Sequence, residues 1–267
     1  MRIASWNVNS LRIRLPQVLS WIESARPDVI GLQEIKLPDD AFPLMEIEAA
    51  GFRGITNGQR GYNGVALLSR VEPLDAIRAL PGYDDEQRRV LAATYDGVRV
   101  INLYVPNGQS VDSPKYVYKL AWLEALSAFL ASELATHERV AVVGDFNVAP
   151  EDRDVHDPVA WESSVLVSEP EREALRGLFA LGLTDTFRLF DQAERSFSWW
   201  DYRAANFRRN RGLRIDLVLA SQRLARDCIS SQIDKQPRGW ERPSDHTPVI
   251  AEFRLQGDIP DFAAETI

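Results

Sequence analysis

Short apolar runs of strand length recur along the chain from its first residues to near its end. They are Ile3 to Val8, Val29 to Leu32, Val65 to Leu68, Val90 to Tyr95, Val98 to Val105, Val140 to Val143, Ile215 to Leu219 and Val249 to Phe253. Runs of this kind, bounded by polar or turn-forming residues, predict buried strands. We therefore expect most of them to be strands inside the protein, with β-sheet as the framework of the fold.

Helical patterns separate some of these runs. The clearest is Tyr116 to Ala135, where apolar residues repeat at three- and four-residue spacing after the start signal Ser113 and Pro114. Shorter helices are predicted for Pro16 to Ala25, which has proline in its first turn, and for Glu171 to Leu181, which is rich in early glutamates. Because strands are many and helices few, we expect sheets packed face to face with helices outside.

The runs Val90 to Tyr95 and Val98 to Val105 are joined by Asp96-Gly97, a strong β-hairpin signal. At least part of the sheet is therefore expected to be antiparallel. With 267 residues, of which 45% are hydrophobic, the chain can bury one sizeable core. We predict a single domain over residues 1–256 and a dispensable tail over residues 257–267, which are acidic and without pattern.

The chain contains one cysteine, Cys228, which excludes an internal disulfide and a multi-cysteine zinc site. The first residues lack an apolar signal core, and no apolar run is long enough to cross a bilayer. We therefore expect a cytoplasmic protein without a membrane partner. A monomer with no obligate protein partner is the default expectation.

The formal net charge of -8 argues against a nucleic-acid partner, because phosphate binding depends on Lys and Arg. The charge is unevenly distributed, however. A dense basic segment, Arg203 to Arg214, directly follows the aromatic residues Phe197, Trp199, Trp200 and Tyr202. This combination favours a DNA-binding loop on an acidic body, and a solvated charged loop is the alternative.

Polar residues that are out of place in a core follow or interrupt several of the apolar runs. They are Asn7, Asn9, Gln33, Glu34, Asp145, Asn147, Asp216 and the segment Ser244-Asp245-His246. Ligands gather at such strand ends in α/β sheets. If these ends converge, several carboxylates and amides and one imidazole share a cleft.

Such an oxygen-rich set suits Mg²⁺, or Mn²⁺ in its place, rather than zinc. Glu34, Asp145 and Asp245 packed together without a cation would raise one another's pKa values, so a bound metal gives the cluster a physical reason. Taken singly, each residue is more often a turn former or a strand cap. The chain has no H-E-x-x-H, G-x-S-x-G or G-x-x-x-x-G-K-[ST] segment, so other common hydrolytic chemistries lack support.

The same residues, in this order, resemble the exonuclease III family of AP endonucleases. The matching segments are Ser5 to Arg12 (SWNVNSLR), Leu32 to Lys36 (LQEIK), Tyr62 to Ala66 (YNGVA), Asn102 to Gly108 (NLYVPNG), Gly144 to Pro150 (GDFNVAP), Leu213 to Asp216 (LRID) and Ser244 to His246 (SDH). The resemblance implies an α/β fold, a four-layered αββα sandwich of the DNase I-like, endonuclease/exonuclease/phosphatase type. Two packed mixed sheets would be flanked by helices, with the site at one edge of both.

The resemblance also implies a role for each polar residue. Glu34 would be the principal Mg²⁺ ligand, with Asn7 nearby and Asp245 on or beside the metal. The resemblance leaves open whether a second metal ion binds near Asp145, Asn147 and His246.

The remaining roles concern the phosphate and the attacking water. Asp145 would position or deprotonate the water, and Asn147 would hold that water or the phosphate. Tyr104 would contact the phosphate, and His246, oriented by Asp216, would bind a phosphate oxygen.

Contacts with DNA are expected from two regions. Lys115 and Asn107 would contact the sugar–phosphate backbone, which carries no sequence information. By position, Trp199, Leu213 and Ile215 correspond to an apolar pocket that receives a base-free sugar, and Arg203 would lie along the duplex. Many relatives that cleave abasic sites strongly have tryptophan in place of Leu213, so this chain departs from them there.

The resemblance therefore implies a magnesium-dependent DNA-repair nuclease acting in base excision repair. Its partner would be double-stranded DNA with 3′ ends or abasic sites. We expect 3′-to-5′ exonuclease and 3′-end processing activity, with AP-endonuclease activity whose strength the Leu213 departure leaves open. A phosphatase acting on small phosphoesters and a nucleic-acid-binding scaffold without catalysis are the alternatives, because fold alone does not choose the substrate.

Overall fold

The computed structural model describes residues 1–255, and its strands form two six-stranded sheets. The predicted tail, residues 257–267, lies outside the described residues. The strands are β1 (Arg2–Asn7), β2 (Val29–Gln33), β3 (Arg53–Asn57), β4 (Val65–Ser69), β5 (Leu74–Ile77), β6 (Val90–Tyr95), β7 (Val98–Tyr104), β8 (Val140–Asp145), β9 (Leu183–Asp185), β10 (Asp216–Ser221), β11 (Cys228–Ile233) and β12 (Val249–Phe253).

Helices connect the strands and cover the outer faces. They are α1 (Leu11–Ala25), α2 (Leu44–Ala49), α3 (Pro114–Thr136), α4 (Pro158–Trp161), α5 (Glu169–Ala180) and α6 (Gln222–Ala225). Helix α3 begins as its sequence predicts, because the Ser113 side chain accepts a hydrogen bond from the Lys115 backbone amide at 3.1 Å. Within residues 1–255, no helix is both long and apolar enough to cross a membrane.

Each sheet contains one parallel pair among antiparallel neighbours. The first has the order β11-β12-β1-β2-β4-β3, and the second has the order β5-β6-β7-β8-β10-β9. The parallel pairs are β1 with β2 and β7 with β8, near the middle of each sheet. The prediction of two mixed sheets is confirmed.

Three apolar layers hold the sandwich together. Between the sheets, Val65 and Leu67 belong to one buried cluster with Val100 and Val143 of the opposite sheet. A second cluster joins α1 to the outer face of the first sheet, and a third joins α3 and α5 to the outer face of the second. Burial of each large apolar side chain stabilises the fold by about 1.5–3 kcal/mol. The predicted αββα architecture is therefore confirmed.

The predicted hairpin is also confirmed. Tyr95 pairs with Val98 across the turn, and Asp96 and Gly97 both take left-handed backbone angles, with φ of 47° and 77°. Two positive φ values in succession define the type I′ turn that matches the twist of antiparallel strands.

The structure differs from the sequence-based prediction in four strands and at the start of one helix. Strands β3, β5, β9 and β11 were not predicted, because they are short or partly exposed and lack a continuous apolar run. Helix α1 begins at Leu11 rather than at Pro16, which lies inside the helix. Leu11 and Arg14 are buried in the first turn, so the helix packs against the protein before it reaches Pro16, which cannot donate a backbone hydrogen bond.

Candidate active site

The polar residues at the strand ends converge at one edge of the sandwich. Because β1 and β2 are parallel, Asn7 and Glu34 emerge at the same edge of the first sheet. Tyr104 and Asp145 are paired at the ends of the parallel strands β7 and β8 in the second sheet. Asp216, the first residue of the antiparallel strand β10, pairs directly with Asp145. Strand direction therefore brings residues that are far apart in sequence into one site.

The Asn7 side chain joins carboxylates from the two sheets. Its buried amide nitrogen donates to Glu34 Oε1 and to Asp145 Oδ2, both at 2.9 Å. Glu34 follows β2 with a left-handed backbone, φ 51°, and Lys36 Nζ lies 2.9 Å from its other oxygen. Glu34 is thereby held from two sides.

His246 lies between two aspartates in the buried part of the site. Its Nδ1 is 2.9 Å from the Asp216 carboxylate, and its Nε2 is 3.7 Å from Asp145 Oδ2. Burial by itself would lower the pKa of His246, but the negative charges of Asp216 and Asp145 outweigh it and raise the pKa to about 10. The imidazole is therefore a cation at neutral pH, with Nδ1 donating to Asp216.

Asp145 ionises with difficulty in this environment. Burial raises its pKa to about 7, against the opposing charge of His246, and the charges of Asp216 and Glu34 also raise it. The amide of Asn7 favours the ionised form. Asp145 is therefore balanced near neutrality between its two protonation states, which is where a general base works best.

Asp245 is held by side chains outside the cluster of Glu34, Asp145 and His246. Its two oxygens accept hydrogen bonds from Trp199 Nε1 and Asn9 Nδ2, each at 3.0 Å. Burial opposes ionisation, but the charge of His246 and these two donors lower the pKa of Asp245. Asp245 is therefore ionised at neutral pH.

Three side chains are placed to hold a metal ion. Ligand atoms of Glu34, Asp145 and His246 lie within 4.8 Å of one another, and no other group of three His, Cys, Asp or Glu among residues 1–255 does so. Asp245 is not part of this group. It accepts a hydrogen bond from Asn9, which accepts one from Lys36, and Lys36 in turn pairs with Glu34. The cluster offers two carboxylates at one point, which suits a hard divalent cation.

Asn147 and Asn107 form a second polar pair beside Asp145. The backbone amide of Asn147 donates to Asp145 Oδ1 at 2.9 Å, and its side-chain oxygen accepts from Asn107 Nδ2 at 3.0 Å. Asn147 has a left-handed backbone, φ 49°. The turn after β8 therefore presents Asn147 next to the carboxylate, and the loop after β7 brings Asn107 against Asn147.

Tyr104 lies beside Glu34 and Asp145. Burial raises the pKa of Tyr104 well above its usual value, and the two carboxylate charges raise it further. The Arg89 guanidinium lies 4.7 Å from the centre of the Tyr104 ring. Tyr104 is therefore a neutral hydroxyl that can donate a hydrogen bond to phosphate.

A groove of about 850 Å³ borders the site at Tyr104 and Asn107. Tyr104, Asn107 and Lys115 line it, together with Arg89 and Tyr62. Tyr62 is 65% exposed. Two of the residues expected to contact DNA, Lys115 and Asn107, thus share one groove with the site.

The residues of the expected sugar pocket form a closed cluster. Leu213 and Ile215 are 0% and 1% exposed, and both pack with the partly buried Trp199. Trp199 also lies beside His246, with 6.5 Å between the ring centres. Of the three, Trp199 alone presents surface next to the site.

The basic segment divides into an exposed part and a structural part. Arg203 is 87% exposed and pairs with Asp201 at 2.6 Å. Arg214 is wholly buried between Asp154 and Asp185, at 2.6 and 2.7 Å. Arg214 therefore adds nothing to a positive surface, and the sequence pattern overstated the charge available to a ligand.

Sequence reasoning did not assign a role to several polar residues that organise the site. Lys36 bridges Glu34 and Asn9, and Arg89 lies over Tyr104. Lys36 is the last residue of the family-like segment Leu32 to Lys36, two residues after Glu34, so the sequence did indicate that Lys36 could contact Glu34. Lys119, whose ammonium contacts the backbone of Asn147 at 2.7 Å, is hidden within a helix.

Comparison with known proteins places this geometry in a family context. Residues 4–246 match the Endonuclease/Exonuclease/phosphatase family. The chain is 39% identical to the exodeoxyribonuclease III of Haemophilus influenzae, over 95% of this chain and 100% of that protein. A solved 3′ phosphatase from Neisseria, bound to a product DNA hairpin, is 45% identical with a TM-score of 0.94, covering 96% of this chain and 100% of that one. An AP endonuclease from Archaeoglobus fulgidus is 37% identical with a TM-score of 0.92, covering 96% and 100%.

Proposed function

The chain belongs to the Endonuclease/Exonuclease/phosphatase family, and we propose that it is a DNA-repair nuclease of the exodeoxyribonuclease III type. It hydrolyses phosphodiester bonds in duplex DNA, removing or trimming 3′ ends and cutting at abasic sites in base excision repair. The observation that carries this proposal is the buried Asp216–His246–Asp145 arrangement next to Glu34. It combines a cation for phosphate with a carboxylate poised for proton transfer.

Magnesium is the cofactor we propose, with Mn²⁺ able to replace it. The donor chemistry fits, because Glu34 and Asp145 bring carboxylate oxygens together at one point. Burial is the main reason for the raised pKa of Asp145, and the negative charges of Asp216 and Glu34 add to it. Glu34 and Asn7 would hold the ion, with Asp245 beside them. When bound, Mg²⁺ supplies charge stabilisation for the phosphate oxygens.

The protein groups act on the water and the phosphate. Asp145 accepts the proton of the attacking water, and Asn147 holds that water or a phosphate oxygen. The charged imidazole of His246 and the neutral hydroxyl of Tyr104 donate hydrogen bonds where negative charge develops on the phosphate. His246 can bind a metal only as a neutral imidazole, whereas its charged form binds a phosphate oxygen, and the negative charge of Asp216 favours the charged form.

DNA is held mainly through its backbone. Lys115 and Asn107, which line the groove, and Arg203 on the exposed loop would contact phosphates. Trp199 would lie against the sugar next to the scissile bond, supported from behind by Leu213 and Ile215. Backbone contacts of this kind predict cleavage that is nearly independent of sequence.

The test uses three labelled duplexes, each with Mg²⁺ or with a chelator. One has a recessed 3′ end, one has a 3′ phosphate, and one has an internal abasic-site analogue. We expect Mg²⁺-dependent shortening of the first and dephosphorylation of the second, as the Neisseria relative's name suggests. Incision of the third measures how well a site with Leu213 accepts a base-free sugar. Failure to act on any duplex, with turnover of small phosphoesters instead, would point to the alternative phosphatase function.

The cellular setting belongs to the same proposal. We propose a cytoplasmic monomer that needs no obligate protein partner, which fits the lone Cys228. Cell fractionation and light scattering of the purified chain test these two points separately from the chemistry.

A further inference from the structure

Helix α3 carries a lysine that is completely buried and lies directly behind the asparagine pair. Lys119 and its partner Glu171 on α5 both have 0% exposed side chains, and the Lys119 ammonium contacts Glu171 Oε1. Burial lowers the pKa of Lys119, and the charge of Glu171 opposes that shift. Because two charges removed from water are costly to keep, such a pair persists only where its hydrogen bonds are fully satisfied.

The Lys119 ammonium directs its remaining donors at the backbone of the active-site loops. Nζ donates to the Asn147 carbonyl at 2.7 Å and to the Asn107 carbonyl at 3.2 Å. With Glu171, these contacts use all three protons of the ammonium. The side chains of the two asparagines are themselves joined at 3.0 Å. A single buried cation therefore fixes both residues that we place at the phosphate.

Glu171 extends this connection to the apolar cluster behind Trp199. It caps α5 by accepting from the Ser168 backbone amide at 3.1 Å, and it accepts from the Leu166 amide at 3.1 Å. The Leu166 carbonyl in turn accepts from the Ala149 amide at 2.7 Å. Leu166 packs in the same cluster as Leu213. The ion pair thus lies where the asparagine loops and the sugar-pocket cluster meet.

We propose that Lys119 is a positioning residue for phosphodiester hydrolysis: held by Glu171, it fixes the backbone of Asn107 and Asn147 so that their amides meet the phosphate. This inference rests on the proposed nuclease function. It differs from a purely structural role because the contacts of the ammonium beyond Glu171 end on the active-site loops. Loss of the ammonium is therefore expected to lower kcat more than it lowers substrate binding.

The test compares two variants that each remove one buried ion pair. Lys119→Met keeps the length of the side chain and removes its charge. Arg99→Met is the matched control, because Arg99 pairs with Glu133, also on α3, at 2.5 Å with only 1% and 10% of the side chains exposed. Arg99 lies at the start of β7, roughly 17 Å of strand away from Tyr104 at about 3.3 Å per residue. Both variants are measured on the recessed 3′ duplex with Mg²⁺, as kcat per folded protein, alongside thermal unfolding.

We expect Lys119→Met to lower kcat by about tenfold to a hundredfold, with KM changed by less than about threefold. Arg99→Met should lose comparable thermal stability and keep kcat within about twofold of the unsubstituted chain. If Lys119→Met fails to fold, Glu171→Gln takes its place and should show the same kcat-selective loss, at a smaller size. Lys119→Arg, which retains the charge, should recover part of kcat.

Two outcomes overturn the positioning role: kcat unchanged in the folded Lys119→Met or Glu171→Gln protein, or an equal loss of kcat in Arg99→Met. The unsubstituted chain separates this inference from the proposed function. If it turns over no duplex at all, the nuclease proposal fails; if it turns over the duplex and Lys119→Met does so equally well, only the positioning role fails.

Discussion

His246 Nδ1 lies 2.9 Å from the carboxylate of Asp216, and both side chains are buried. This contact keeps the imidazole charged in a place where burial alone would neutralise it. It also fixes the orientation of the ring, so that Nε2 faces Asp145 and the expected position of the phosphate. The charge on His246 is therefore a property of the pair rather than of the histidine alone.

Asp216→Asn is expected to lower kcat by about 10²- to 10⁴-fold at neutral pH, since an amide no longer stabilises the imidazolium. The pH profile gives a sharper test. The pKa of His246 is raised to about 10, so activity that needs its charged form is present below that pH and is lost as the pH rises through it. In Asp216→Asn this loss should occur at a lower pH. An alkaline limb that does not move would exclude His246 as the titrating group.

Asp145→Asn is expected to abolish turnover while duplex binding persists, because the amide cannot accept a proton from water. Duplex affinity measured in a chelator is the control. Survival of kcat within a few-fold would show that Asp145 is not the base.

The same substitution should stabilise the folded protein above neutral pH. Burial raises the pKa of Asp145 to about 7, so its ionised form is disfavoured in the folded state and its contribution to stability declines as the pH rises from about 4 to 7. Asparagine carries no such charge. At pH 8, without metal, we expect the melting temperature of Asp145→Asn to rise by roughly a few degrees. A lower melting temperature at that pH would contradict the view that the buried, ionised carboxylate of Asp145 destabilises the folded protein.

Glu34→Gln is expected to weaken the apparent Mg²⁺ affinity by about tenfold or more, because a neutral amide replaces the carboxylate proposed as the principal ligand. The measurement is activity against Mg²⁺ concentration. Glu252→Gln, on the opposite end of the first sheet where Glu252 pairs with the partly exposed Arg2, serves as the control. An unchanged Mg²⁺ dependence in Glu34→Gln would remove Glu34 from the ligands.

The sequence was most informative where a polar residue follows a buried strand. Asn7, Glu34 and Asp145 each end or follow an apolar run, and the direction of the strands brings them together. The sequence was less informative about charged residues that are buried in ion pairs. Arg214 looked like part of a DNA-binding surface, but it is neutralised by two aspartates that are remote in sequence. No local pattern reveals such long-range partners.

Lys119 is a case in which the sequence indicated a buried charge that the sequence-based prediction did not include. It lies on the apolar face of α3, in helical register with the buried residues Trp122, Leu123 and Leu126. A charged residue within such a stripe must find a partner inside the protein. The sequence therefore indicated a buried ion pair, although only the structure identifies Glu171 and the two carbonyls.

The two ends of the basic segment give a matched comparison between binding and stability. Arg203 is exposed and pairs only with the neighbouring Asp201, so Arg203→Ala should leave the melting temperature nearly unchanged. It should weaken duplex binding and reduce the slope of log Kd against log salt concentration by about one, because one fewer counterion is released on binding. Arg214→Ala leaves Asp154 and Asp185 buried without their shared partner, which is expected to destabilise the protein by about 3–5 kcal/mol. The measurements are thermal unfolding and duplex titration at several salt concentrations. If Arg203→Ala left both the affinity and the salt dependence unchanged, the exposed loop would be a solvated surface and not a DNA contact.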